Sequence, residues 1–484
     1  MNTYIGIDLG TSAVKLLLVA ADGRILKSAT EEYPLAFPRP GWSEQNPEDW
    51  LRATRDGLKA LLEGEDREAV RGVSFGGQMH GLVALDKEDR VIRPAILWND
   101  GRTGKETEYL NEKIGKKRLS LYTANIAFAG FTAPKLLWMK ENEPENFARI
   151  AKIMLPKDYL AYRMTGVFST DYSDAGGTLL LDVKNKKWSE EMCAICGIRK
   201  EQLPRLYESY APTGRVLAEY GLPNATVSAG AGDNAAAAVG TGTVKDGDCN
   251  ISLGTSGTVF IAGDRFSVDE NNALHAFPHA SGRYHLMGCI LSAASCYKWW
   301  TEEVLHTDDL AGEQEALLPL LGENDVYFLP YLMGERSPHN DTEARGCFLG
   351  MRPDTERRHM TLAVMEGVAF ALRDCMEVAK RNGLSIPETK ICGGGGKSEV
   401  WRRIMANVLG IPVSVPAVEE GPAFGAAILA MVASGEYPTV SSATDALIQT
   451  RSTVLPDGEL VAKYGERYRH FQKLYPALKG LFTK

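Results

Sequence analysis

The most restrictive feature of this sequence is a strand–turn–strand pattern that occurs twice. Residues 4–20 and residues 249–260 each read as two apolar strands joined by a Gly-Thr-Ser turn. A helix rich in glycine and alanine follows each copy, after Asp233 and at residues 421–433. Similar units in the same order at the two ends of a chain predict a duplicated domain. The 484 residues are long enough for two such domains.

The predicted boundary lies in a Gly/Thr/Asp-rich stretch at residues 241–247, which has loop character. The predicted domains are therefore residues 1–245 and residues 246–484. We expect both to be α/β domains that face each other across a cleft, since an interface between domains is a common ligand site.

Each Leu-Gly-Thr-Ser turn has the composition of a phosphate-binding loop. Glycine lets the backbone approach an anion, consecutive N–H groups form a concave nest, and the hydroxyls add donors. One such turn would be read as an ordinary β-turn, but two related turns favour phosphate binding. The first copy carries Asp8 where the second carries Ser252, and a carboxylate beside phosphates suits Mg²⁺. Lys15 is either a phosphate ligand or a solvated strand residue.

A third glycine turn, at residues 391–398, imitates the P-loop pattern but has Ile391 where that pattern requires its first glycine. It lies between a predicted strand at 389–392 and a predicted helix at 399–409. We interpret it as a flat glycine surface against the base and ribose of a nucleotide. An ordinary strand-to-helix turn is the alternative.

The candidate general base is Asp233, which lies among glycines and alanines and opens a helix. The small neighbours leave room for a substrate, and a carboxylate can accept the proton of a hydroxyl that attacks a γ-phosphorus. The alternative is that Asp233 only caps its helix. Asp174 competes for the role of base, but its neighbours look like an ordinary turn.

Two polar runs are candidates for sugar contacts. Gln78, Met79 and His80 lie between glycines after a buried strand, where the carboxyl ends of strands hold ligands. Trp98 offers an aromatic face, with Asp100 and Arg102 beside it. The alternatives are a structural histidine in the first run, and a buried tryptophan with a surface ion pair in the second.

Composition argues against several classes of protein. The net charge is −8, and no basic stripe suggests nucleic-acid binding. The eight cysteines are too sparse for a disulfide scaffold, and Cys193 and Cys196 lack the further ligands of a zinc site, so we expect two partly buried thiols in a helix. With no apolar run of ~18 residues and no signal-peptide pattern, we expect no membrane segment and a reducing cytoplasm.

Two longer stretches resemble the signatures of the FGGY family of carbohydrate kinases. They are residues 130–142 and residues 346–351, the latter continuing through 359–366, and the resemblance extends over nearly the whole chain. Three further runs resemble the family members that act on xylulose, namely residues 77–81, 98–102 and 334–339. One pair, Gly176-Gly177, is more glycine-rich than the family pattern after Ser-Asp-Ala.

The resemblance implies an α/β fold with two actin-like (ribonuclease H-like) domains around a central cleft for ATP and a sugar. It implies Asp233 as the base, and Asp8 and Asp233 at a Mg²⁺ ion. The residues implied at the nucleotide are Thr11, Ser12, Lys15, Gly254, Thr255, Ser256, Gly394, Gly395 and Ser398. The residues implied at the sugar are Met79, His80, Asp233 and Asn234, beside Gln78, Trp98, Asp100 and Arg102.

The expected reaction is transfer of the γ-phosphoryl group of ATP to a terminal sugar hydroxyl, at O5 if the sugar is D-xylulose. Ribulose, fuculose, rhamnulose and gluconate remain alternative acceptors. Glycerol is disfavoured, because glycerol-acting members carry a charged Arg-Glu pair where Met79 and His80 stand. An actin- or chaperone-like ATPase and an inactive sugar sensor are alternatives from other classes. A homodimer is the family-like expectation.

Overall fold

Two mixed β-sheets organise the chain, one in each half, and the computed structural model describes residues 1–482. The strands of the first half are β1 (Thr3–Leu9), β2 (Ala13–Ala20), β3 (Ile25–Glu32), β4 (Glu44–Gln45), β5 (Val70–Gly77), β6 (Val83–Leu85), β7 (Ala95–Ile96), β8 (Lys152–Met154), β9 (Ser169–Asp171), β10 (Leu181–Asp182), β11 (Lys187–Trp188), β12 (Arg205–Tyr207), β13 (Pro212–Arg215), β14 (Thr226–Ser228) and β15 (Ala231–Gly232). The strands of the second half are β16 (Cys249–Leu253), β17 (Gly257–Gly263), β18 (His275–Pro278), β19 (Tyr284–Ile290), β20 (Tyr327–Leu329), β21 (Cys347–Leu349), β22 (Thr389–Cys392), β23 (Val413–Pro416) and β24 (Thr450–Val454).

Helices cover both sheets. Those of the first half are α1 (Pro47–Leu61), α2 (Gly104–Glu108), α3 (Lys116–Thr123), α4 (Thr132–Asn142), α5 (Pro144–Ala148), α6 (Pro156–Thr165), α7 (Tyr172–Gly176), α8 (Glu190–Cys196) and α9 (Asp233–Gly240). Those of the second half are α10 (Ala294–Trp299), α11 (Leu310–Glu315), α12 (Arg357–Arg381), α13 (Glu399–Leu409), α14 (Gly421–Ala433), α15 (Val440–Leu447) and α16 (Gly458–Phe482). Short 3-10 turns lie at Arg67–Ala69, Lys200–Gln202, Ala218–Tyr220, Leu318–Leu320 and Gly395–Lys397, and π turns at Tyr109–Gly115 and Trp300–Val304.

The two sheets share one topology. The first has the strand order β13-β14-β5-β1-β2-β3, with β15 also paired to β5, and the second has the order β18-β19-β17-β16-β22-β23-β24. In each, the leading strand is antiparallel to the next strand of the chain and parallel to a later one, as β1 is to β2 and β5, and β16 to β17 and β22. The predicted α/β duplication is confirmed.

Burial explains why these segments form central strands. Six of the seven residues of β1 are buried, which suits a strand covered on both faces. In β3 at the sheet edge, half-buried and exposed residues alternate along the whole strand. Two adjacent glycines favour a break in a strand, but β5 continues through Gly76 and Gly77, because each pairs with β1.

Two equivalent helices join the halves. A Cβ added at Gly425 of α14 would lie 1.8 Å from the Ala236 carbonyl oxygen of α9, and one at Gly240 would lie 2.0 Å from the Gly421 carbonyl oxygen. The glycines therefore let the two backbones touch where they cross. Because α14 also packs on β1 and β5, a helix of the second half covers the first sheet and forms one wall of the cleft.

Several local expectations are confirmed. Asn46 accepts a hydrogen bond from the Glu48 N–H and caps α1, in which Pro47 is the first residue. Cys193 and Cys196 lie in α8, although both are buried rather than partly buried. None of the helices within residues 1–482 is long and apolar enough to cross a lipid bilayer.

Candidate active site

Two carboxylates lie at the carboxyl edge of the first sheet. Asp8 is next to last in β1, and Asp233 is the first residue of α9, directly after β15. Asp8 and Ala231 are both in register with Gly76 of β5, which lies between β1 and β15. The strand between the two carboxylates therefore presents no side chain at Gly76 and Gly77, where a Cβ would lie 3.2 Å from the Ala236 Cβ and 2.8 Å from the Lys157 Cβ.

Burial makes both carboxylates unusually weak acids. It raises the pKa of Asp233 to about 6, against a hydrogen bond of 2.7 Å from the Asn234 N–H that acts in the opposite direction. Burial and the nearby charge of Asp233 raise the pKa of Asp8 to about 7, although Lys15 opposes that change. Two poorly solvated acids side by side favour a bound cation, or a hydroxyl that gives up a proton.

The surroundings of Asp8 fit a Mg²⁺ ion. Its Oδ1 is shielded from solvent and has no hydrogen-bond partner within residues 1–482. No group of three or more His, Cys, Asp or Glu side chains in that part of the chain could hold a metal. Mg²⁺ commonly takes one or two carboxylates and completes its shell with water and substrate phosphates. A single orphaned carboxylate oxygen suits that arrangement.

A cavity of about 550 Å³ lies between the two halves, within the usual size range of small-molecule sites. Its wall combines the start of α9, the strands of the second hairpin and the third glycine turn. The residues that line this cavity include Asp233, Asn234, Ser252, Thr258, Gly393 and Gly396. The structure thus brings the candidate base to one end of a cavity whose other walls belong to the second half.

The third glycine turn packs against the end of β16. Gly393 has a φ of +83°, and a Cβ there would lie 2.8 Å from the Leu253 carbonyl oxygen. A Cβ at Gly395 would lie 2.7 Å from the Leu253 side chain, whereas one at Gly394 would meet nothing within 4 Å. Gly394 therefore faces open space. Ser398 lies beyond the turn, where its hydroxyl caps α13 and donates to Gln314 Oε1 at 2.7 Å.

The first hairpin turn is braced by surrounding side chains. The indole N–H of Trp98 donates to Thr11 Oγ1 at 3.0 Å, and Gln45 Nε2 donates to the Thr11 carbonyl at 2.6 Å. Gln78 is buried, and its Nε2 donates to the Gly10 carbonyl at 3.3 Å and to Gln45 Oε1 at 3.1 Å. The Nε2 of Gln78, a residue predicted to contact a sugar, therefore supports this turn, whereas its Oε1 is buried and has no hydrogen-bond partner within residues 1–482.

Lys15 lies on the strand that follows this turn and forms an ion pair with Glu420. Glu420 is the residue before α14, so the pair links the first hairpin to the second half. Lys15 therefore has Glu420 as its counterion and is not simply a solvated strand residue.

The second hairpin turn is more open. Thr255 and Ser256 are exposed, whereas Gly254 is half-buried. Within residues 1–482 their hydroxyls have no hydrogen-bond partner. The Thr255 carbonyl accepts from the Ala293 N–H at 2.9 Å and from the Ser295 hydroxyl at 2.7 Å. The free hydroxyls and the backbone suit contact with an anion from the cleft.

Met79 and His80 line the first half beside Asp233. The Met79 sulfur lies 3.9 Å from Asn234 Nδ2, and a Cβ at Gly232 would lie 2.9 Å from Met79 Cγ. Burial lowers the pKa of His80 to about 3, so the ring is neutral. Its Nδ1 is 2.6 Å from the Gly177 carbonyl and must donate to it, which leaves Nε2 as an acceptor for a ligand hydroxyl.

Asp100 and Arg102 form a buried ion pair, not the surface pair considered as an alternative. Arg102 Nη2 lies 2.7 Å from Asp100 Oδ2, the side chains are 1 % and 0 % exposed, and the guanidinium lies 3.7 Å from the centre of the Trp42 ring. Asp100 Oδ2 also accepts from the Ser43 N–H at 2.6 Å. We interpret both as supporting residues behind Trp98, which is 45 % exposed.

Asp174 lies in a buried cluster with one cation. Lys157 Nζ lies 2.6 Å from Asp158 Oδ1, 2.9 Å from Asp171 Oδ1 and 3.6 Å from Asp174 Oδ2. Burial opposes the charge on Lys157, but the three carboxylates outweigh it and raise its pKa. Burial raises the pKa of Asp174 well above its usual range, and the charge of Lys157 acts in the opposite direction.

Sequence reasoning missed several residues that the structure places around the site. Gln45 braces the first turn, Phe131 stacks on His80 with ring centres 4.6 Å apart, and Lys157 anchors the acidic cluster. Gln45 and Lys157 lie in no pattern that indicates a site, and Phe131 lies within the signature at residues 130–142 without having been assigned a contact. For Gly177 a signal existed, since the Gly176-Gly177 pair stood out from the family pattern, and a Cβ at Gly177 would lie 2.6 Å from His80 Nδ1.

Comparisons with known proteins agree with this architecture. The model of the FGGY N-terminal domain of carbohydrate kinases matches residues 3–240, and that of the FGGY C-terminal domain matches residues 249–434. The chain is 41 % identical to the xylulose kinase of Escherichia coli K12, with 99 % of this chain and 100 % of that protein covered.

Solved structures with high similarity share the two-domain fold. A xyloylose kinase from Brucella ovis matches with a TM-score of 0.94 at 41 % identity, covering 99 % of this chain and 100 % of that one. A gluconate kinase from Lactobacillus acidophilus matches with a TM-score of 0.95 at 26 % identity, covering both chains fully. The expectation of two actin-like domains is confirmed. The chain belongs to the FGGY family of carbohydrate kinases.

Proposed function

We propose that this carbohydrate kinase transfers the γ-phosphoryl group of ATP to O5 of D-xylulose, giving D-xylulose 5-phosphate and ADP. The observation that carries the proposal is the position of Asp233. Asp233 lines the cavity between the two halves, and the residues on either side of it, Gly232 and Asn234, contact Met79. The similarity to enzymes named xylulose kinase supports D-xylulose as the acceptor.

Asp233 acts as the general base. It accepts the proton of the O5 hydroxyl as that oxygen attacks the γ-phosphorus in line, while the bond to the leaving ADP oxygen breaks. A pKa of about 6 makes Asp233 a stronger base than an ordinary carboxylate, yet leaves it mostly ionised at neutral pH. The hydrogen bonds from the backbone N–H and Nδ2 of Asn234, at 2.7 and 3.0 Å, fix Oδ1.

The sugar lies against Met79, His80, Asn234 and the exposed face of Trp98. The free Nε2 of the neutral His80 accepts a sugar hydroxyl, and the sulfur of Met79 offers an apolar contact beside Gly232. The other predicted sugar residues, Gln78, Asp100 and Arg102, hold these surfaces in place through the buried contacts described above.

ATP occupies the cavity between the halves. Its phosphates lie between the two hairpin turns, at Thr11 and Ser12 in the first and at Gly254, Thr255 and Ser256 in the second, and Lys15 exchanges Glu420 for a phosphate. The adenosine lies at the glycine turn near Gly394 and Gly395, with Ser398 at its end. The open space at Gly394 and the free hydroxyls of the second turn support this assignment.

Asp8 is the residue that holds Mg²⁺, with Asp233 beside it. When bound, the ion neutralises charge on the phosphates that develops during transfer. The orphaned Asp8 Oδ1 and the pKa of about 7 support this role, because a nearby cation stabilises the ionised form that burial disfavours.

We propose domain limits of 1–245 and 246–484, a cytoplasmic location, and a homodimer without nucleic-acid or membrane partners. The loop between α9 and β16 contains the proposed limit. Size-exclusion chromatography with light scattering tests the oligomer, and a mass of one chain, 52.9 kDa, would contradict the dimer.

A coupled ADP-release assay tests the function. Mg-ATP is offered with D-xylulose, L-ribulose, D-ribulose, L-fuculose, L-rhamnulose, gluconate and glycerol, and without sugar. We expect strong turnover with D-xylulose. Gluconate is the main competing acceptor, because a gluconate kinase has nearly the same fold. Turnover with another sugar alone would contradict the substrate but keep the chemistry, and ADP release independent of every sugar would favour the ATPase alternative.

A further inference from the structure

The short helix α7 touches both reactive sides of the sugar pocket. Its first turn reaches the backbone before Asp233, and the residue that ends it, Gly177, reaches His80. The other face of α7 packs on β18 of the second half, where a Cβ at Gly176 would lie 2.9 Å from Phe277 Cδ1. None of the chemistry proposed above uses this helix.

The first turn of α7 is fixed by a buried network. Asp171, its N-cap, accepts hydrogen bonds at Oδ2 from the Ser173 N–H at 2.8 Å, from the Ser173 hydroxyl at 2.5 Å and from the Ser209 hydroxyl at 2.7 Å. Lys157 Nζ lies 2.9 Å from the other carboxylate oxygen. All of these side chains are almost fully buried, and Asp171 and Lys157 are charged. The hydrogen bonds and the ion pair therefore hold the network in one geometry.

Ser173 connects this buried network to the backbone next to the candidate base. Its hydroxyl proton goes to Asp171, so its oxygen is free to accept the N–H of Gly232, at 3.2 Å. Gly232 immediately precedes Asp233 and lies against Met79, which leaves this segment little room to shift. The hydroxyl of Ser173 therefore ties the backbone of the candidate base to the network.

The carboxyl end of α7 positions the histidine. The Gly177 carbonyl accepts the His80 Nδ1–H at 2.6 Å, and the ring stacks on Phe131 on its other side. A Cβ at Gly177 would lie 2.6 Å from His80 Nδ1 and 3.0 Å from the Met79 methyl carbon. Only glycine fits while the ring keeps this place, which explains why this position carries one.

We propose that α7 is a positioning element for the sugar pocket, in which Ser173 sets the place of Asp233 and Gly177 sets the place of His80. The inference rests on the proposed roles of Asp233 as base and His80 as sugar ligand, and adds residues that touch neither substrate. Since one helix holds both groups, their spacing is set by the length of α7.

Substitutions at the two ends of α7 are expected to change different kinetic constants. Ser173→Ala loosens the base and lowers kcat by about 10²-fold, the cost of a small misplacement, with KM for D-xylulose changed less than about threefold. Ser209→Ala is the matched control, since it removes a neighbouring hydroxyl from the same Asp171 oxygen without touching Gly232. We expect both variants to lose similar thermal stability, but only Ser173→Ala to lose kcat.

Gly177→Ala displaces the His80 ring. It raises KM for D-xylulose about tenfold, the size expected for one lost hydrogen bond, with kcat and KM for ATP within about threefold of wild type. Gly176→Ala is its matched control, because the added methyl presses on Phe277 and Pro278 rather than on His80. If Ser173→Ala does not fold, Ser173→Cys, which keeps the size but bonds weakly, replaces it.

Equal kcat in Ser173→Ala and Ser209→Ala, or equal sugar KM in Gly177→Ala and Gly176→Ala, would overturn the inference. Asp233→Asn, assayed beside them, separates this failure from failure of the proposed function. If Asp233→Asn keeps wild-type turnover, the base is wrong. If it loses turnover while the two pairs behave alike, only the positioning role of α7 is wrong.

Discussion

The two hairpin turns have the same sequence, Gly-Thr-Ser, and different surroundings. The first, at residues 10–12, is braced by Trp98, Gln45 and Gln78, and lies beside two carboxylates of raised pKa. The second, at residues 254–256, is largely exposed and is held by backbone hydrogen bonds and by the Ser295 hydroxyl, which donates to the Thr255 carbonyl. The equivalent position to Asp8 is Ser252, which brings no charge.

This difference indicates a division of labour in a duplicated fold. A turn that must keep a carboxylate, a metal and a base in register gains from a rigid surround, because small displacements are costly at the reacting atoms. A turn that only follows the phosphates of a mobile nucleotide needs donors rather than rigidity. Duplication supplied two copies of one cradle, and the side chains around each copy gave them separate roles.

The largest expected effect is the loss of kcat when the carboxylate of Asp233 is removed. Asp233→Asn keeps the shape of the side chain but removes the base, and should lower kcat by ~10²–10⁴-fold in the ADP-release assay. The matched control is Asp174→Asn, because Asp174 belongs to the buried cluster around Lys157, whereas Asp233 lines the cavity. We expect the control to stay within about threefold of wild type. A control as damaged as Asp233→Asn would return Asp174 to the list of candidate bases.

Asp8 and Ser252 test the asymmetry of the hairpins directly. Asp8→Asn should lower kcat by about 10²-fold and raise the Mg²⁺ concentration needed for half-maximal rate, because charge on the phosphates loses its carboxylate-held ion. Ser252→Ala, at the equivalent position, should change either value by less than about threefold. A Mg²⁺ titration of both variants measures this, and equal effects would show that the two hairpins share the metal.

These two sites also separate what the sequence predicts from what it does not. The turns, Asp8 and Asp233 were predicted because each belongs to a short run whose chemistry is local. Gln78 was assigned to the sugar because it stands between glycines, but its side chain is used by Gln45, 33 residues earlier in the chain. Period and composition give the position of a residue along a strand, and not the partner that its side chain meets across the fold.

The same limit explains Arg102 and Lys157. Arg102 was read as a sugar-facing residue, yet its guanidinium lies over Trp42 in a buried ion pair. Lys157 lies in none of the sequence motifs, and it is fully buried among three carboxylates. Buried charge of this kind depends on segments distant in sequence, so a single sequence without relatives carries no signal of it.

Activity should fall on the acid side of pH ~6. The proposed base is the ionised form of Asp233. Because the pKa of Asp233 is raised to about 6, protonation removes this base at a higher pH than for an ordinary aspartate. We therefore expect kcat/KM for D-xylulose to be constant above this pKa and to fall below about pH 6, which gives the pH profile an acidic limb. The acids near it are Asp8, whose ionised form a bound Mg²⁺ ion would stabilise, and Asp174, whose pKa burial also raises.

A histidine is the usual explanation for a limb near pH 6, so His80→Gln is the control. Burial lowers the pKa of His80 to about 3, hence this ring does not titrate in that range. The variant should raise KM for the sugar and leave the limb where it is. A limb that moves or disappears in His80→Gln would assign the titration to the histidine instead of to Asp233.

The smallest expected effect concerns the bracing of the first turn. Trp98→Phe keeps an aromatic face toward the cleft and loses the indole N–H that bonds Thr11 Oγ1 at 3.0 Å. One such hydrogen bond contributes ~0.5–1.5 kcal/mol, so KM for ATP should rise by about three- to tenfold, because the Thr11 hydroxyl is no longer oriented toward the phosphates. Steady-state titration of each substrate at saturation of the other measures this.

The same variant decides between the two roles of Trp98. If its ring mainly packs on the sugar, phenylalanine retains most of that contact, while Trp98→Ala loses it and raises KM for D-xylulose. If its main role is to brace the turn, Trp98→Phe and Trp98→Ala raise KM for ATP alike. Thr255→Val provides the comparison in the second hairpin: it removes a hydroxyl that no side chain orients, so an effect smaller than that of Trp98→Phe would show that bracing, and not the hydroxyl alone, makes the first turn the stricter of the two.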